Sequence, residues 1–172
     1  MTVEYQNRFE FLRLEGLADF DENTKRELLS NLSDMEHMKF SRQSLVKHTE
    51  KTLKSYFDDL HSSGGLYYVI RRIHDHETIG TFTLNPALDN SCDVGILIFK
   101  KFSQMGAGYQ VFYEIYQLVK RMGYKEMLAG CNISNVKMRR LCEKLGMTLD
   151  NRRNFPINKS SDISNIYFMI NC

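Results

Sequence analysis

The sequence predicts a mixed α+β fold, in which a mostly antiparallel, twisted sheet is flanked by helices. Residues 66–72 and 78–84 are two β-rich runs joined by a short polar turn, a pattern typical of an antiparallel hairpin. A later apolar run at 94–99 leads through a glycine-bearing turn into a helical apolar pattern at 109–122. Antiparallel strands followed by strand–helix–strand units indicate a mixed sheet rather than an all-helical or all-parallel fold.

The elements before the hairpin are one strand and two helices. The run 9–14 predicts the first strand, and 21–32 predicts a helix whose first-turn acidic residues complement the helix dipole. Thr49 is a suitable N-cap for the second helix, which ends before Gly64 and Gly65.

The elements after the hairpin alternate between strands and helices. Strands are predicted at 92–99, 124–129, 147–150 and 166–170, and helices at 109–122 and 135–145. The whole prediction is about seven strands and about four helices. No repeat, low-complexity tract or linker divides the chain, so residues 1–172 are expected to form a single domain.

Composition argues against several classes of protein. The formal net charge is +2 and no basic block stands out, so nucleic acid is not an expected partner. No apolar run approaches the about 20 residues of a membrane helix, so no membrane association is expected. The N-terminus lacks a signal-peptide pattern, and four cysteines at irregular spacing fit a reduced, cytoplasmic setting. No metal site is expected, because His74 and His76 fit a hairpin turn better than a ligand cluster.

The glycine-bearing turn at 103–109 is the most informative feature. Glycine lets the backbone approach an anion closely, and the start of the following helix carries partial positive charge. A Walker loop is excluded because its Gly-x-x-x-x-Gly-Lys-Ser/Thr motif is absent from the sequence. A dinucleotide-binding fingerprint is excluded because Val111 stands where its third small residue belongs. The turn therefore predicts a site for another phosphate-bearing ligand. The alternative is that Gly106 and Gly108 only shape the turn.

Two stretches carry a resemblance to a known family. Residues 103–108 are similar to the acyl-CoA motif Gln/Arg-x-x-Gly-x-Gly/Ala, with Ser103 in place of the usual Gln or Arg. Residues 135–147 are similar to a second motif that begins with Asn and closes with Glu-Lys-Leu-Gly. Together with the strand order, they resemble the GNAT N-acetyltransferase superfamily and imply its fold. Residues 11–14 and 32–40 and the helix after Thr49 resemble the RimJ/RimL-like branch of ribosomal-protein alanine acetyltransferases.

The resemblance implies acetyl-CoA as the co-substrate. Backbone N–H groups at the helix start would hold its pyrophosphate, with Lys100 and Lys101 as nearby cations. The strand before the turn would pair with the pantetheine arm as an added strand does. The implied cofactor-binding residues are Gln104, Met105, Gly106, Ala107, Gly108 and Tyr109 for the pyrophosphate, Leu97, Ile98 and Phe99 for the arm, and Asn135, which could also cap the last helix.

Acyl transfer to an amine also requires a base that takes a proton from the amine, and a proton for the leaving thiolate. A protonated amine must lose a proton before it attacks, and Asp93 is the candidate general base, because it lies at the start of the strand before the turn. Glu36 and His37 are rival bases and candidates for shaping the acceptor pocket. Cys142 stands where many members of the family have a tyrosine that protonates the leaving thiolate. It is a candidate acid, and packing in the core is the alternative.

The expected function is acetyl-CoA-dependent N-acetylation of a primary amine. The acceptor could be a protein N-terminus, an amino sugar, a polyamine or an amino-acid-like metabolite. A catalytically silent acyl-CoA-binding or sensing module is one alternative, and a nucleotide-binding regulator is another. A homodimer stays open, because the C-terminal strand could pair with a second subunit.

Overall fold

A single eight-stranded sheet organises the chain. The computed structural model describes residues 2–5, 8–40, 47–103, 105–150 and 164–170, the first and last of these ranges through their backbone. The strands are β1 (Thr2–Tyr5), β2 (Phe9–Leu14), β3 (Leu66–Arg72), β4 (Thr78–Ala87), β5 (Ser91–Ile98), β6 (Glu126–Asn132), β7 (Thr148–Asp150) and β8 (Ser164–Ile170). The α-helices are α1 (Glu22–Ser33), α2 (Met35–Met38), α3 (Glu50–Ser62), α4 (Ala107–Arg121) and α5 (Val136–Lys144).

The sheet order is β1-β2-β3-β4-β5-β6-β8-β7. Neighbouring strands are antiparallel except β5 and β6, which are parallel. This confirms the predicted mixed α+β class. The structure adds two short elements that the sequence patterns did not predict, the strand β1 and the four-residue helix α2.

The C-terminal strand lies inside the described sheet rather than at its end. β8 pairs with β6 along its length, and with β7 at Ile166, Tyr167 and Phe168. The homodimer stays a prediction. The outer strands of the described sheet are β1 and β7.

Local side-chain caps explain where two of the helices begin. The Thr49 side chain accepts from the backbone N–H of Thr52, and the Thr52 hydroxyl accepts from the backbone N–H of Thr49, which forms a capping box. Asn135 Oδ1 accepts from the backbone N–H of Met138 at 3.1 Å at the start of α5. Both caps confirm the sequence predictions.

Both faces of the sheet are covered by apolar side chains. Successive side chains of a strand point to opposite faces, so Tyr67 and Tyr68 of β3 lie on different faces of the sheet. Tyr68 stacks on Phe82 with ring centroids 4.6 Å apart, and Phe11 meets Phe82 edge-on. On the other face, Phe57 of α3 packs on Tyr67 at 4.5 Å. The α4 residues that are buried are Val111, Phe112, Glu114, Ile115, Leu118 and Val119.

Candidate active site

The two parallel strands in the middle of the sheet separate part of the way along their length. Register pairs from Ser91 with Glu126 to Asp93 with Leu128 join β5 to β6. Beyond Asp93, β5 stays paired with β4 as far as Ile98, while β6 pairs with β8 as far as Asn132. In the described part of the chain, the edge of β5 that faces β6 therefore has no strand partner after Asp93. We call this edge the open edge of β5.

A cavity of about 1050 Å³ lies along the open edge. Its walls come from α2, α3, β4, β5, β6 and the start of α5, so it reaches from the sheet face under α3 to the gap between the parallel strands. A volume of this order accommodates a ligand and part of a second one. The predicted site residues that line it are Glu36, His37, Asp93, Leu97, Ile98 and Asn135.

The backbone groups along the open edge alternate in direction. The Phe99 N–H donates to the Ile79 carbonyl at 2.9 Å, so Phe99 directs its N–H towards β4. Alternation in an antiparallel pair then directs the backbone groups of Ile98 and Ile96 away from β4, towards the gap. The Ile98 carbonyl agrees with this, since it accepts a hydrogen bond from His37 rather than from β4.

The same alternation corrects two of the expected cofactor contacts. The side chain of Phe99 is buried and its N–H is occupied, so it does not offer a backbone donor to a ligand. The Leu97 carbonyl oxygen is turned towards β4, where it would lie 2.2 Å from a Cβ at Gly80, so Leu97 can contribute only its side chain. Ile96 also lines the cavity and was not among the predicted contacts. The period-two pattern of β5 was the signal that could have identified it.

His37 ties α2 to the end of β5. Its Nε2 donates to the Ile98 carbonyl at 2.9 Å, because a carbonyl oxygen can only accept. Lys100, which follows β5, is also held by residues near α2. Asn31 Oδ1 accepts from the Lys100 N–H at 2.7 Å, and Asp34 pairs with the Lys100 ammonium. Nε2 of His37 is therefore occupied and cannot accept a proton from a substrate in this arrangement.

Asp93 lies at the point where β5 and β6 separate. Its register partner on β4 is Asn85, and Thr83 of the same β4 face is hydrogen-bonded to Tyr56. Burial raises the pKa of Tyr56, and the nearby Asp93 carboxylate raises it further. Asp93 and Tyr56 therefore lie close together in the wall of the cavity.

Glu36 lies at the mouth of the cavity rather than inside it. Its side chain is 74% exposed, and its carboxylate pairs with Lys39 one turn further along. An exposed ion pair of this kind contributes little energy. Glu36 is therefore better placed to meet a cationic acceptor at the entrance than to act as a base.

The glycine-bearing turn and α4 give the expected helix start. Gly106 is the N-cap of α4 with φ +73°, a left-handed conformation that favours glycine. The N–H groups of Ala107, Gly108 and Tyr109 belong to the first turn, where helices leave N–H groups without an intrahelical partner. The Met105 N–H donates instead to the Phe102 carbonyl at 3.1 Å, so it is not a donor for a ligand. Gln104 lies outside the described residues.

The two lysines before this turn are not solvated cations as expected. Lys100 pairs with Asp34, and Lys101 pairs with Glu27 at 3.0 Å and with Glu77 at 2.9 Å. The acidic partners lie in α1, directly after α1, and in the turn between β3 and β4. Neither lysine is therefore an unneutralised charge for the pyrophosphate.

Cys142 does not contact the cavity. Its side chain has no exposed surface, and burial raises the pKa of its thiol to about 12, with a smaller contribution from Cys131. A thiol enclosed in the core cannot reach a leaving group in the cavity, so the proposed acid role is replaced by packing. Asn135, in contrast, lines the cavity while its Oδ1 caps α5, and its NH₂ group has no partner among the described residues.

Two further searches covered the described residues. No group of three or more His, Cys, Asp or Glu side chains is placed to hold a metal ion. None of the helices in the described ranges has the length and apolar character needed to span a membrane.

The fold and the site define an acetyltransferase domain. Residues 12–148 match the model of the Acetyltransferase (GNAT) domain, which covers most of the chain. The chain therefore belongs to the GNAT acetyltransferase family. No curated protein matches the sequence.

Solved structures share the fold over nearly their whole length. An acetyltransferase of the GNAT family from Bacillus anthracis superposes with a TM-score of 0.77 at 14% identity, covering 98% of each chain. Spermidine N-acetyltransferase from Vibrio cholerae, in complex with CoA and spermine, gives 0.78 at 12% identity over 96% of this chain and 97% of its own. RimL, a ribosomal-protein alpha-N-acetyltransferase in complex with coenzyme A, gives 0.73 at 16% identity and 98% coverage of both chains.

Proposed function

We propose that this protein transfers the acetyl group of acetyl-CoA to a primary amine by direct attack of the amine on the thioester. The observation that carries the proposal is the open edge of β5, bordered by a cavity with Asp93 at the point where the strands separate. Membership of the GNAT family supports the reaction class. Coenzyme A in the two related structures supports the donor.

The donor would occupy the gap between β5 and β6. Its pantetheine arm would pair with the backbone of Ile96 and Ile98, as an added strand pairs with a sheet edge. The Ile98 N–H faces the gap, where an N–H group could polarise the thioester carbonyl and stabilise the oxyanion. Asn135 would contact the arm through its NH₂ group, and the first turn of α4 would receive the pyrophosphate.

The acceptor would enter from the α2 and α3 side. Its protonated amine would reach Asp93, which accepts one proton before the neutral amine attacks the thioester carbonyl. The N–C bond then forms and the C–S bond breaks, and the second amine proton passes through water to the displaced thiolate, which leaves as coenzyme A. An α-amino group, with a pKa of about 7.7–8.0, would need less help than an alkyl amine of about 10.4.

The proposal also names the class of amine that accepts the acetyl group. The related structures include enzymes named for spermidine and for a ribosomal protein N-terminus, and both acceptors are primary amines. The RimJ/RimL-like resemblance of residues 11–14, of residues 32–40 and of the helix after Thr49 favours a protein N-terminus.

An amine panel tests the function. Purified protein, acetyl-CoA and, in turn, an N-terminal peptide, spermidine, an amino sugar and an amino acid would be analysed by mass spectrometry for the acetylated product. We expect acetylation of at least one acceptor, with the peptide preferred. Tight coenzyme A binding without product on any amine would replace the enzyme by a silent acyl-CoA-binding module.

Asp93→Asn tests the base. Loss of the carboxylate should lower kcat by about 10²–10⁴-fold at neutral pH, because general base catalysis contributes on that order. The defect should shrink as the pH rises and the free amine becomes abundant. Glu36→Gln is the matched control, since it removes an exposed carboxylate at the cavity mouth and should leave kcat nearly unchanged. An Asp93→Asn enzyme with the parental pH–rate profile would rule out this role.

A further inference from the structure

Helix α5 concentrates the positive charge of the protein. Its nine residues contain four cations, Lys137, Arg139, Arg140 and Lys144, and one carboxylate, Glu143, although the whole chain carries a formal net charge of only +2. Three of the cations follow the spacing i, i+3, i+7 and share one face of the helix over about 10 Å of its axis. We call Lys137, Arg140 and Lys144 the basic stripe.

The stripe is not neutralised by the described part of the protein. All three side chains are exposed, and the described residues place no carboxylate within ion-pair distance of them. Arg139 and Glu143 have interactions of their own and fall on another side of the helix.

The stripe borders the donor site at both ends. Lys137 lines the cavity next to Asn135. Between the cations, Leu141 approaches the first turn of α4, where its Cδ2 would lie 3.9 Å from a Cβ at Gly108. At the far end, the Lys144 ammonium lies 4.6 Å from the centre of the Tyr109 ring.

These positions match the charge of the nucleotide end of coenzyme A. That end carries a diphosphate and, on the other side of the ribose, a separate 3′-phosphate. The first turn of α4 is the expected place for the diphosphate, so the 3′-phosphate needs other partners. A phosphate monoester carries about −1.5 to −2 charges at neutral pH, and arginine and lysine are its usual protein partners.

We propose that the basic stripe binds the 3′-phosphate of coenzyme A, with Arg140 and Lys144 as its direct partners and Lys137 at the cavity end. The stripe then makes the protein selective for coenzyme A over 3′-dephospho-coenzyme A. This inference rests on the proposed function, because it assumes that acyl-CoA is the donor. In this proposal the basic stripe supplies the cations for the phosphate, because the charges of Lys100 and Lys101 are already paired.

Calorimetric titration with the two nucleotides tests the assignment. The parental protein should bind coenzyme A about tenfold more tightly than 3′-dephospho-coenzyme A, in line with one or two hydrogen bonds to charged groups. The double variant Arg140→Gln, Lys144→Gln should lose most of that preference by weakening only coenzyme A binding. Lys120→Gln, a lysine exchange near the other end of α4, is the control and should keep the preference.

Three outcomes separate this inference from the proposed function. Equal affinity of the parental protein for both nucleotides would overturn the inference and leave acetyl transfer standing. Equal weakening of both nucleotides in the double variant would also overturn it, since the cations would then act on the diphosphate. A parental protein that binds neither nucleotide would contradict the proposed function and the inference together. Thermal unfolding of each variant should match the parent, because the exchanged side chains are exposed.

Discussion

At the scale of single residues, His37 shows how a side chain can serve a site without touching the chemistry. It was expected to contact the acceptor or to act as a base. It does line the cavity, and its Nε2 donates to the Ile98 carbonyl. We infer that it is a positioning residue, because this hydrogen bond fixes the end of the open edge of β5. The side chain does this from α2, an element whose four residues gave no clear helical pattern.

Replacing His37 should therefore affect the donor. Loss of one hydrogen bond of about 0.5–1.5 kcal/mol predicts that His37→Ala raises the KM for acetyl-CoA several-fold, with a smaller change in kcat. His37→Gln, which can place an amide N–H near the same carbonyl, should recover part of the loss. Steady-state kinetics with acetyl-CoA varied at saturating acceptor would measure both. Equal KM values in all three proteins would contradict the positioning role.

Replacing Cys142 should affect the stability of the fold and not the reaction. Its thiol is enclosed in the core, and burial raises its pKa to about 12, so it stays protonated at any working pH. Cys142→Ala should lower the free energy of unfolding by about 1 kcal/mol through the lost packing and leave kcat close to the parental value. Denaturant unfolding and kinetics of the same preparation would check this. A fall of about 100-fold in kcat with normal stability would restore the acid role.

At the scale of elements, the close contact between β4 and β5 determines the shape of the open edge. Gly80 pairs with Ile98, and a Cβ at Gly80 would lie 2.2 Å from the Leu97 carbonyl oxygen and 3.0 Å from Ile98 Cα. These are backbone atoms, so a larger residue forces the strands apart. Glycine at this position is required by the close approach and not by its backbone angles.

Gly80→Ala should therefore damage both stability and donor binding. We expect a loss of roughly 1–3 kcal/mol in the free energy of unfolding, as for other overpacked sites, and weaker acetyl-CoA binding because Leu97 and Ile98 are displaced. Gly16→Ala is the control, since Gly16 has extended backbone and nothing lies within 4 Å of its Cβ position. Chemical denaturation and calorimetry would compare the two. Parental acetyl-CoA affinity in Gly80→Ala would contradict this account of the edge.

The elements also show which sequence predictions succeed. The Thr49 cap, the Asn135 cap and the Gly106 turn depend on residues within one turn of each other, and all three could be predicted. The directions of the Leu97 and Phe99 backbone groups could not, because they depend on the register between β4 and β5.

Long-range pairing limits the prediction of the site in the same way. Lys100 and Lys101 precede the glycine-bearing turn and were natural candidates for phosphate contacts. Their partners Asp34, Glu27 and Glu77 come from distant parts of the chain, so only the folded structure shows that these charges are neutralised. The sequence therefore could not show that the charges of these two lysines are already paired, and the position of the donor site stays a prediction.

At the scale of the whole molecule, binding of the donor should stabilise the fold. A ligand that binds only the folded state adds about 2.7 kcal/mol when its concentration is 100 times its Kd. Acetyl-CoA should therefore raise the thermal unfolding temperature, whereas ATP and NAD should not at the same concentration. Differential scanning fluorimetry measures this directly. Stabilisation by ATP or NAD without a response to acetyl-CoA would favour a nucleotide-binding regulator.

The hydrogen bond between His37 and Ile98 has a thermodynamic consequence for the two substrates. Helix α2 is part of the wall of the cavity, and Ile98 belongs to the strand that would hold the donor. An acceptor that moved α2 would also change the energy of the strand end, and linkage would then require the donor to change acceptor affinity by the same factor. One side chain would thus couple the two binding equilibria.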